Sequence, residues 1–321
     1  MKKGLITVLI LIMVFSFVFA EGAKEAEKSD VNWPEKPIEI ICPYKAGGDS
    51  DAYLRAIAPK IGDILGVNCV VTNMGGESLS AITEYLKREN DGYTVFYYNT
   101  SMHASEASGK YGKYTMMDNM VPAGVIVSDN NSGLFVRKDS GIKTMNDFLA
   151  KAKSDPNFKF ATGTLNAEYF LSNEIAKISG IDFTFVAQAS SISDRILQLL
   201  SGEVDAIFGT YGSVAPYIEK GDVVCVGLLS EQRSDKLPDL PTLEEQGIAV
   251  FNPKRYLFRM KNGTNQAIVD KFSAAVKQAV ETDCLDKPCS IYLSEKLYMN
   301  PADQGAWEVQ RIAEMKKAFG K

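Results

Sequence analysis

Histidine is almost missing from this 321-residue chain; His103 is the single copy. Any Ser–His or Cys–His pair would have to use it, and no Gly-x-Ser-x-Gly elbow is present. A lone histidine in a loop is more often a surface or cleft residue than a catalytic base. No histidine–cysteine cluster has metal-ligand spacing, so neither a metal nor another cofactor is expected. Basic residues are in deficit, 35 Lys and Arg against 40 Asp and Glu. That balance gives no electrostatic reason to expect nucleic acid or an anionic membrane as a partner. Long apolar runs are lacking beyond residues 5–19. These absences favour binding without turnover, and no catalytic residue is assigned.

The one apolar run follows Lys2 and Lys3 and ends in Val18-Phe19-Ala20, which reads as a secretory signal peptide over 1–20. No cysteine follows it to carry a lipid anchor. Residues 21–32, "EGAKEAEKSDVN", are polar and aperiodic and read as a flexible leader. Cleavage after Ala20 leaves 301 residues, 33 basic against 40 acidic, in the periplasm or another extracytoplasmic space. Cys42, Cys69 and Cys225 lie in apolar strand-like runs and read as small core residues. Cys284 and Cys289, in "DCLDKPCS", are near enough in sequence either to close a short disulfide loop or to stay free.

Strand-like and helix-like segments then alternate. "PIEIICPY" reads as a strand, and "SDAYLRAIAPKIGDILG" as a helix with Leu54, Ile57, Ile61 and Leu65 at helical spacing. "NCVVTN", "LSAITEYLKREN" and "YTVFYYN" continue the alternation, so two βαβ units predict a parallel sheet under covering helices. A second set runs from "GLFVRKD" to "VVCVGLL", with a capping box of Thr144 and Asp147 opening one helix. The final quarter reads as mostly helical, through "QAIVDKFSAAVKQAVE" and "AWEVQRIAEMKKAF". The pattern predicts two α/β lobes, 33–130 with 228–321 and 131–227, the chain crossing near 128–133 and 227–230. Two crossings make a hinge, and the cleft between lobes is the expected ligand site.

In parallel α/β sheets, ligands meet the loops at the carboxyl ends of strands. Five such loops here are rich in glycine and hydroxyls: "KAGGDSD", "NMGGES", "NTSMHAS", "ATGTLNAEY" and "FGTYGS". Glycine lets the backbone approach a ligand, and N–H groups at a helix start favour anions. The first loop lacks the second glycine pair of dinucleotide sites, and no Gly-Lys-Ser/Thr follows it. Together the loops describe a polar cleft that binds through hydrogen bonds.

These residues carry a resemblance. "WPEKPIEIICPYKAGGDSDAYLRAIAPKIGDILG", "ENDGYTVFYYNTS", "LLSGEVDAIFGT" and above all "LLSEQRSDKLPDLPTLEEQGI" resemble the substrate-binding proteins of tripartite tricarboxylate transporters, the Bug or TctC-like family. The similarity runs over about residues 33–282. It implies a two-lobed periplasmic-binding-protein-like fold of type II, α/β, with two parallel or mixed sheets joined by a two-crossing hinge. It also implies a small carboxylate solute, often a di- or tricarboxylate, delivery to two integral membrane transporter subunits, and no enzymatic activity. A monomer suits such a shuttle; a sensory receptor acting through a membrane partner is the alternative reading. Carried over by position, the first-lobe site residues are Tyr44, Ala46, Gly47, Gly48, Asp51, Asn73 and Ser101. Those of the second lobe are Thr162, Gly163, Thr164, Asn166 and Tyr169, followed by Gln188, Ala189, Gly209 and Thr210. For Tyr44 and Tyr169 wall packing is the competing role, and for Gly163 and Gly209 a plain turn requirement.

The chain departs from the family where it matters for charge. Glu77, Ser78 and Leu79 follow "NMGG" where glycines are usual, and Tyr169 stands where a histidine is frequent. "QASSIS" replaces a Tyr-Lys-Gly-like stretch, with loss of a glycine and a cation, and "NGTN" replaces Gly-Thr-Pro. A monocarboxylate or amino acid therefore fits better than a tricarboxylate. Asp51 sits where capping or turn bracing is natural. Asp49 is the unexplained acid: facing the cleft, it would repel a second carboxylate or receive an ammonium.

Overall fold

The computed structural model describes residues 31–320 apart from 164 and 188–190. The expected signal peptide and most of the leader lie outside the described residues. From Trp33 onward the chain forms β1 (Ile38–Cys42), α1 (Asp49–Leu65), β2 (Cys69–Asn73), α2 (Ser78–Leu86) and β3 (Thr94–Asn99). There follow α3 (Ser101–Ala107), α4 (Met116–Asn119) and the long β4 (Met120–Asp129). The middle contributes β5 (Ser132–Arg137), α5 (Met145–Ser154), β6 (Lys159–Ala161), α6 (Ala167–Ser179) and β7 (Thr184–Val186). It continues through α7 (Ile192–Ser201), β8 (Ala206–Thr210), α8 (Tyr211–Glu219) and β9 (Val223–Leu228). The last part holds β10 (Lys254–Lys261), α9 (Gln266–Val280), α10 (Asp286–Tyr292), β11 (Glu295–Met299) and α11 (Pro301–Ala318).

Two mixed sheets result. The first runs β11-β4-β10-β3-β1-β2 and the second β7-β6-β8-β5-β9. In the first, β1 pairs parallel with β2 and β3, as the βαβ pattern predicts, while β10 enters antiparallel between β3 and β4. In the second, β6 pairs parallel with β7 and β8, and β5 enters antiparallel between β8 and β9. Each sheet thus receives one strand just after a crossing, β5 following β4 and β10 following β9. That exchange ties the two sheets through the chain itself, at two crossings.

Local rules explain the elements. Helix α1 buries Tyr53, Leu54, Ile57 and Ile61 on one face and ends at Gly66 in the left-handed region, φ 76°. Gly62 lets β2 return closely; a Cβ there would lie 2.6 Å from the Val67 carbonyl oxygen. Helix α5 opens with the predicted capping box, Thr144 accepting from the Asp147 N–H and Asp147 from the Thr144 N–H. Strand β1 is buried on both faces, as a central parallel strand should be.

The final quarter is less helical than its sequence suggests, since β10 and β11 lie in it. The "NTSMHAS" segment is a helix from Ser101, not a loop. His103 is buried there, 0% exposed, and its Nε2 lies 3.0 Å from Glu308 Oε1. The expectation of a surface or cleft histidine fails because Glu308, Arg259 and Tyr98 form a buried polar cluster around it. Arg259 Nη2 donates to Glu308 Oε2 at 2.7 Å and Nη1 to the carbonyls of Met116 and Met120. This network fastens α11 to the first sheet. All five cysteines are free thiols; Cys284 Sγ lies 3.3 Å from the Ala279 carbonyl. The alternative of an open Cys284–Cys289 loop is the one realised.

Candidate functional site

The turn between β1 and α1 is built around Asp51, which is 4% exposed. Its Oδ2 accepts the Gly47 N–H at 2.9 Å, and Arg55 Nε donates to both carboxylate oxygens at 2.9–3.0 Å. Asn73 Nδ2 donates to Asp51 Oδ1 at 2.9 Å and to the Tyr44 carbonyl at 3.2 Å. Burial raises the Asp51 carboxyl, but these donors outweigh it and hold the group below its ordinary value. Gly47 has φ +90°, a conformation that only glycine adopts without strain. Asp51, Arg55 and Asn73 therefore form the frame of the turn and stand behind it. With the Gly47 N–H engaged, Gly48 and Asp49 open α1, whose first amides have no backbone acceptor within the helix, that of Ser50 being taken by the Asp49 side chain.

Asp49 faces inward and is neutralised. Lys254 Nζ, from the start of β10, lies 2.5 Å from its Oδ2. The Tyr256 hydroxyl donates to the same oxygen at 2.7 Å and Thr210 Oγ1 at 3.2 Å, while the Ser50 N–H donates to Oδ1 at 2.6 Å. Burial pushes the carboxyl up, yet the Lys254 charge and the hydrogen bonds from Lys254, Tyr256 and Ser50 bring it down to about 2. Thr210 ends β8 in the second sheet and Asp49 begins α1 beside the first, so this cluster bridges the two.

Beside it lies a cavity of about 330 Å³. Its walls come from the β1–α1 turn, the start of α2, α3, the loop before α6, and the start of α7. Four cations line it, and each is paired with an acid that also lines it. Lys254 meets Asp49; Lys45 meets Asp194 at 3.4 Å; Lys110 meets Glu77 and Arg195 meets Glu168, both at 2.9 Å. The Lys45–Asp194 pair runs from the first βα turn to α7, a second link between the sheets. The cavity is thus balanced in fixed charge among the described residues, with Ser50, Asn99, Ser101 and Ser105 among its neutral polar groups.

Six residues expected from sequence line this space: Tyr44, Ala46, Gly48, Ser101, Gly163 and Asn166. The Tyr44 hydroxyl is engaged with the Asn99 backbone at 3.0 Å, and the Asn166 side chain caps α6 through the Tyr169 N–H. Gly47, Asp51 and Asn73 support the turn from behind. Thr162 is fully buried, Tyr169 packs edge-on against Phe185 at 5.2 Å, and Thr210 is bound to Asp49 and Lys254. At Gly209 a Cβ would meet Ile192 Cδ1 at 2.3 Å, the end of a side chain that would have to turn aside to admit it. Thr164, Gln188 and Ala189 lie outside the described residues. Sequence reasoning missed Lys254, Lys45, Lys110, Glu168, Asp194 and Arg195, whose charges carry no local pattern.

Family and fold are matched among known proteins. The model described as the tripartite tricarboxylate transporter family receptor, TctC, matches residues 53–316. The chain is 26% identical to the UPF0065 protein in the gbd 5' region of Cupriavidus necator, over 94% of this chain and 91% of that relative. It resembles a TctC solute-binding protein from Polaromonas solved without ligand: 26% identity, TM-score 0.68, covering 90% of this chain and 99% of the other. It shares its fold with MatC of Rhodopseudomonas palustris, solved with bound malate: 20% identity, TM-score 0.80, covering 89% and 100%. The chain belongs to the TctC receptor family, whose members are periplasmic solute-binding proteins and not enzymes.

Proposed function

We propose that the protein captures a small carboxylate-containing solute in the cavity beside the Asp49–Lys254 cluster and delivers it to a membrane transporter of the tripartite tricarboxylate type. The observation that carries this reading is the one-to-one pairing of the cavity's four cations with its four acids. A tricarboxylate would have to strip several internal pairs to find compensating charge. A solute with one carboxylate needs only the free amides at the start of α1, and the ammonium of an amino acid would have to share a single acid, Glu168 or Asp194, with its present cation. The volume, about 330 Å³, suits a molecule of that size. The malate bound to MatC is a small carboxylate in the same fold.

In this reading residues 33–130 with 228–321 form one lobe and 131–227 the other, closing over the solute about the two crossings. Residues 1–20 export the chain, which travels as a monomer between solute and two integral membrane subunits. Tyr44, Ala46, Gly48 and Ser101 receive the carboxylate end, and Gly163, Thr164 and Asn166 close on the other end, with Gln188 and Ala189 alongside. The test is mass spectrometry of small molecules released on denaturing the protein purified from its host, followed by calorimetry with the compound found. A monocarboxylate or amino acid is expected. Tight citrate binding with no binding of monocarboxylates or amino acids overturns the assignment.

A further inference from the structure

A second cavity, about 520 Å³, lies behind the crossings. Its walls come from Ser128 to Asn131, from residues 229–235 after β9, from the start of β10, and from Trp307 of α11. Lys254 and Arg255 are neighbours on β10, and successive strand residues face opposite ways. Lys254 accordingly lines the solute cavity and Arg255 the second one.

Arg255 is unusual among the enclosed arginines. Arg259 is paired with Glu308, and Arg195 with Glu168. Arg255 has no carboxylate within 4 Å among the described residues. Its guanidinium carbon lies over the Trp307 ring, 3.9 Å from the centroid, and Nη1 lies 3.2 Å from the Met299 sulfur. Nε is buried and has no hydrogen-bond partner. The Nε–Nη2 edge, the side of the guanidinium that grips a carboxylate with two parallel bonds, is therefore unengaged. Nearby, Asn131 is 4% exposed, donates Nδ2 to the Leu293 carbonyl at 2.5 Å, and leaves Oδ1 without a donor. The acids around this cavity, Glu231, Asp235 and Glu295, are exposed to water at its rim, and Arg233 is held by Glu245 at 2.9 Å.

We propose that this cavity is a second small-molecule site, taking a carboxylate on the Nε–Nη2 edge of Arg255 and a hydroxyl or amine of the same solute on Asn131 Oδ1. The site is separate from the solute cavity and is formed by both crossing segments, so its occupant touches the two links that move when the lobes close.

Trp307 supplies the readout. The chain has two tryptophans, and a Trp33→Phe variant leaves Trp307 alone to report on its own cavity. Lactate is titrated into that variant at constant ionic strength. The expected result is a saturable change in Trp307 emission, weakened about tenfold or more by Arg255→Lys, which keeps a cation but loses the fork. Arg255→Met should abolish it, and Gly47→Val, which disrupts the solute turn, should leave it intact. A response that never saturates, that survives Arg255→Met, or that disappears with Gly47→Val overturns the proposal. Circular dichroism checks the folding of each variant, and Arg255→Lys decides the question if Arg255→Met does not fold.

Discussion

Replacing Lys254 with methionine removes the ammonium 2.5 Å from a carboxylate that is 6% exposed. In the native protein the Lys254 charge and the hydrogen bonds hold the Asp49 carboxyl at about 2, below its ordinary 3.8, a difference on the order of 2 kcal/mol in stability. A depressed acid contributes fully above its unfolded value, and the contribution is lost as pH falls from near 3.8 through about 2. Without Lys254, burial acts with only hydroxyl and amide donors against it, and the Asp49 carboxyl moves upward. The sign then reverses: the variant regains ground as acid protonates Asp49, where the native protein does not. Leaving a buried carboxylate without its cation costs about 3–5 kcal/mol at neutral pH. Urea unfolding followed by circular dichroism at pH 7.5, 6, 5 and 4 measures both the loss and its slope. Adding Asp49→Asn to Lys254→Met should recover part of the loss, because the stranded charge is gone. A loss at pH 7.5 below about 1 kcal/mol, typical of an exposed pair, refutes the reasoning. So does a deficit that stays constant down to pH 4, or a double variant less stable than Lys254→Met alone.

Two further perturbations test the same interlobe region. Asp129 is fully buried; burial lifts its carboxyl to about 6 against the pull of Lys254 and the Asn131 N–H, so its contribution is present at low pH and lost as pH rises through about 6. Asp129→Asn should therefore stabilise the protein by up to about 3 kcal/mol at pH 7.5 and change little near pH 4, as read from urea midpoints. At Gly212, which begins α8, a Cβ would lie 2.4 Å from Tyr292 Cα and 2.6 Å from the Ile291 oxygen, both backbone atoms of α10. Gly212→Ala should cost about 1–3 kcal/mol and weaken solute affinity in calorimetry through a displaced lobe, with no change to any cavity residue.

Much of the fold was legible because its signals are local. The apolar runs of β1, β3, β5 and β9, the capping box at Thr144 and the left-handed glycines that end helices each act within a few residues. What escaped was nonlocal. Strand β4 carries Pro122 and Gly124, which read as breakers, and it is held by β10 on one side and β11 on the other. Strand β10 carries Lys254, Arg255, Arg259 and Lys261 in eight residues, a composition that reads as surface. It can lie inside the sheet because Arg259 is matched by Glu308, 49 residues later, and Lys254 by Asp49, 205 residues earlier. Buried charge needs a partner or a shifted protonation state, and no window of sequence contains that partner. The missed strand and the missed site residue are thus one omission. Asp49 shows its consequence for function. Read from sequence, it would repel a second carboxylate or receive an ammonium if it faced the cleft; with Lys254 at 2.5 Å it is half of a neutral pair. In the proposed function an incoming carboxylate would meet the start of α1 beside a cancelled charge, and a second carboxylate would find each cation lining the cavity, among the described residues, already paired. The proposed preference for a lightly charged solute rests on that pairing, and not on the net charge of the chain.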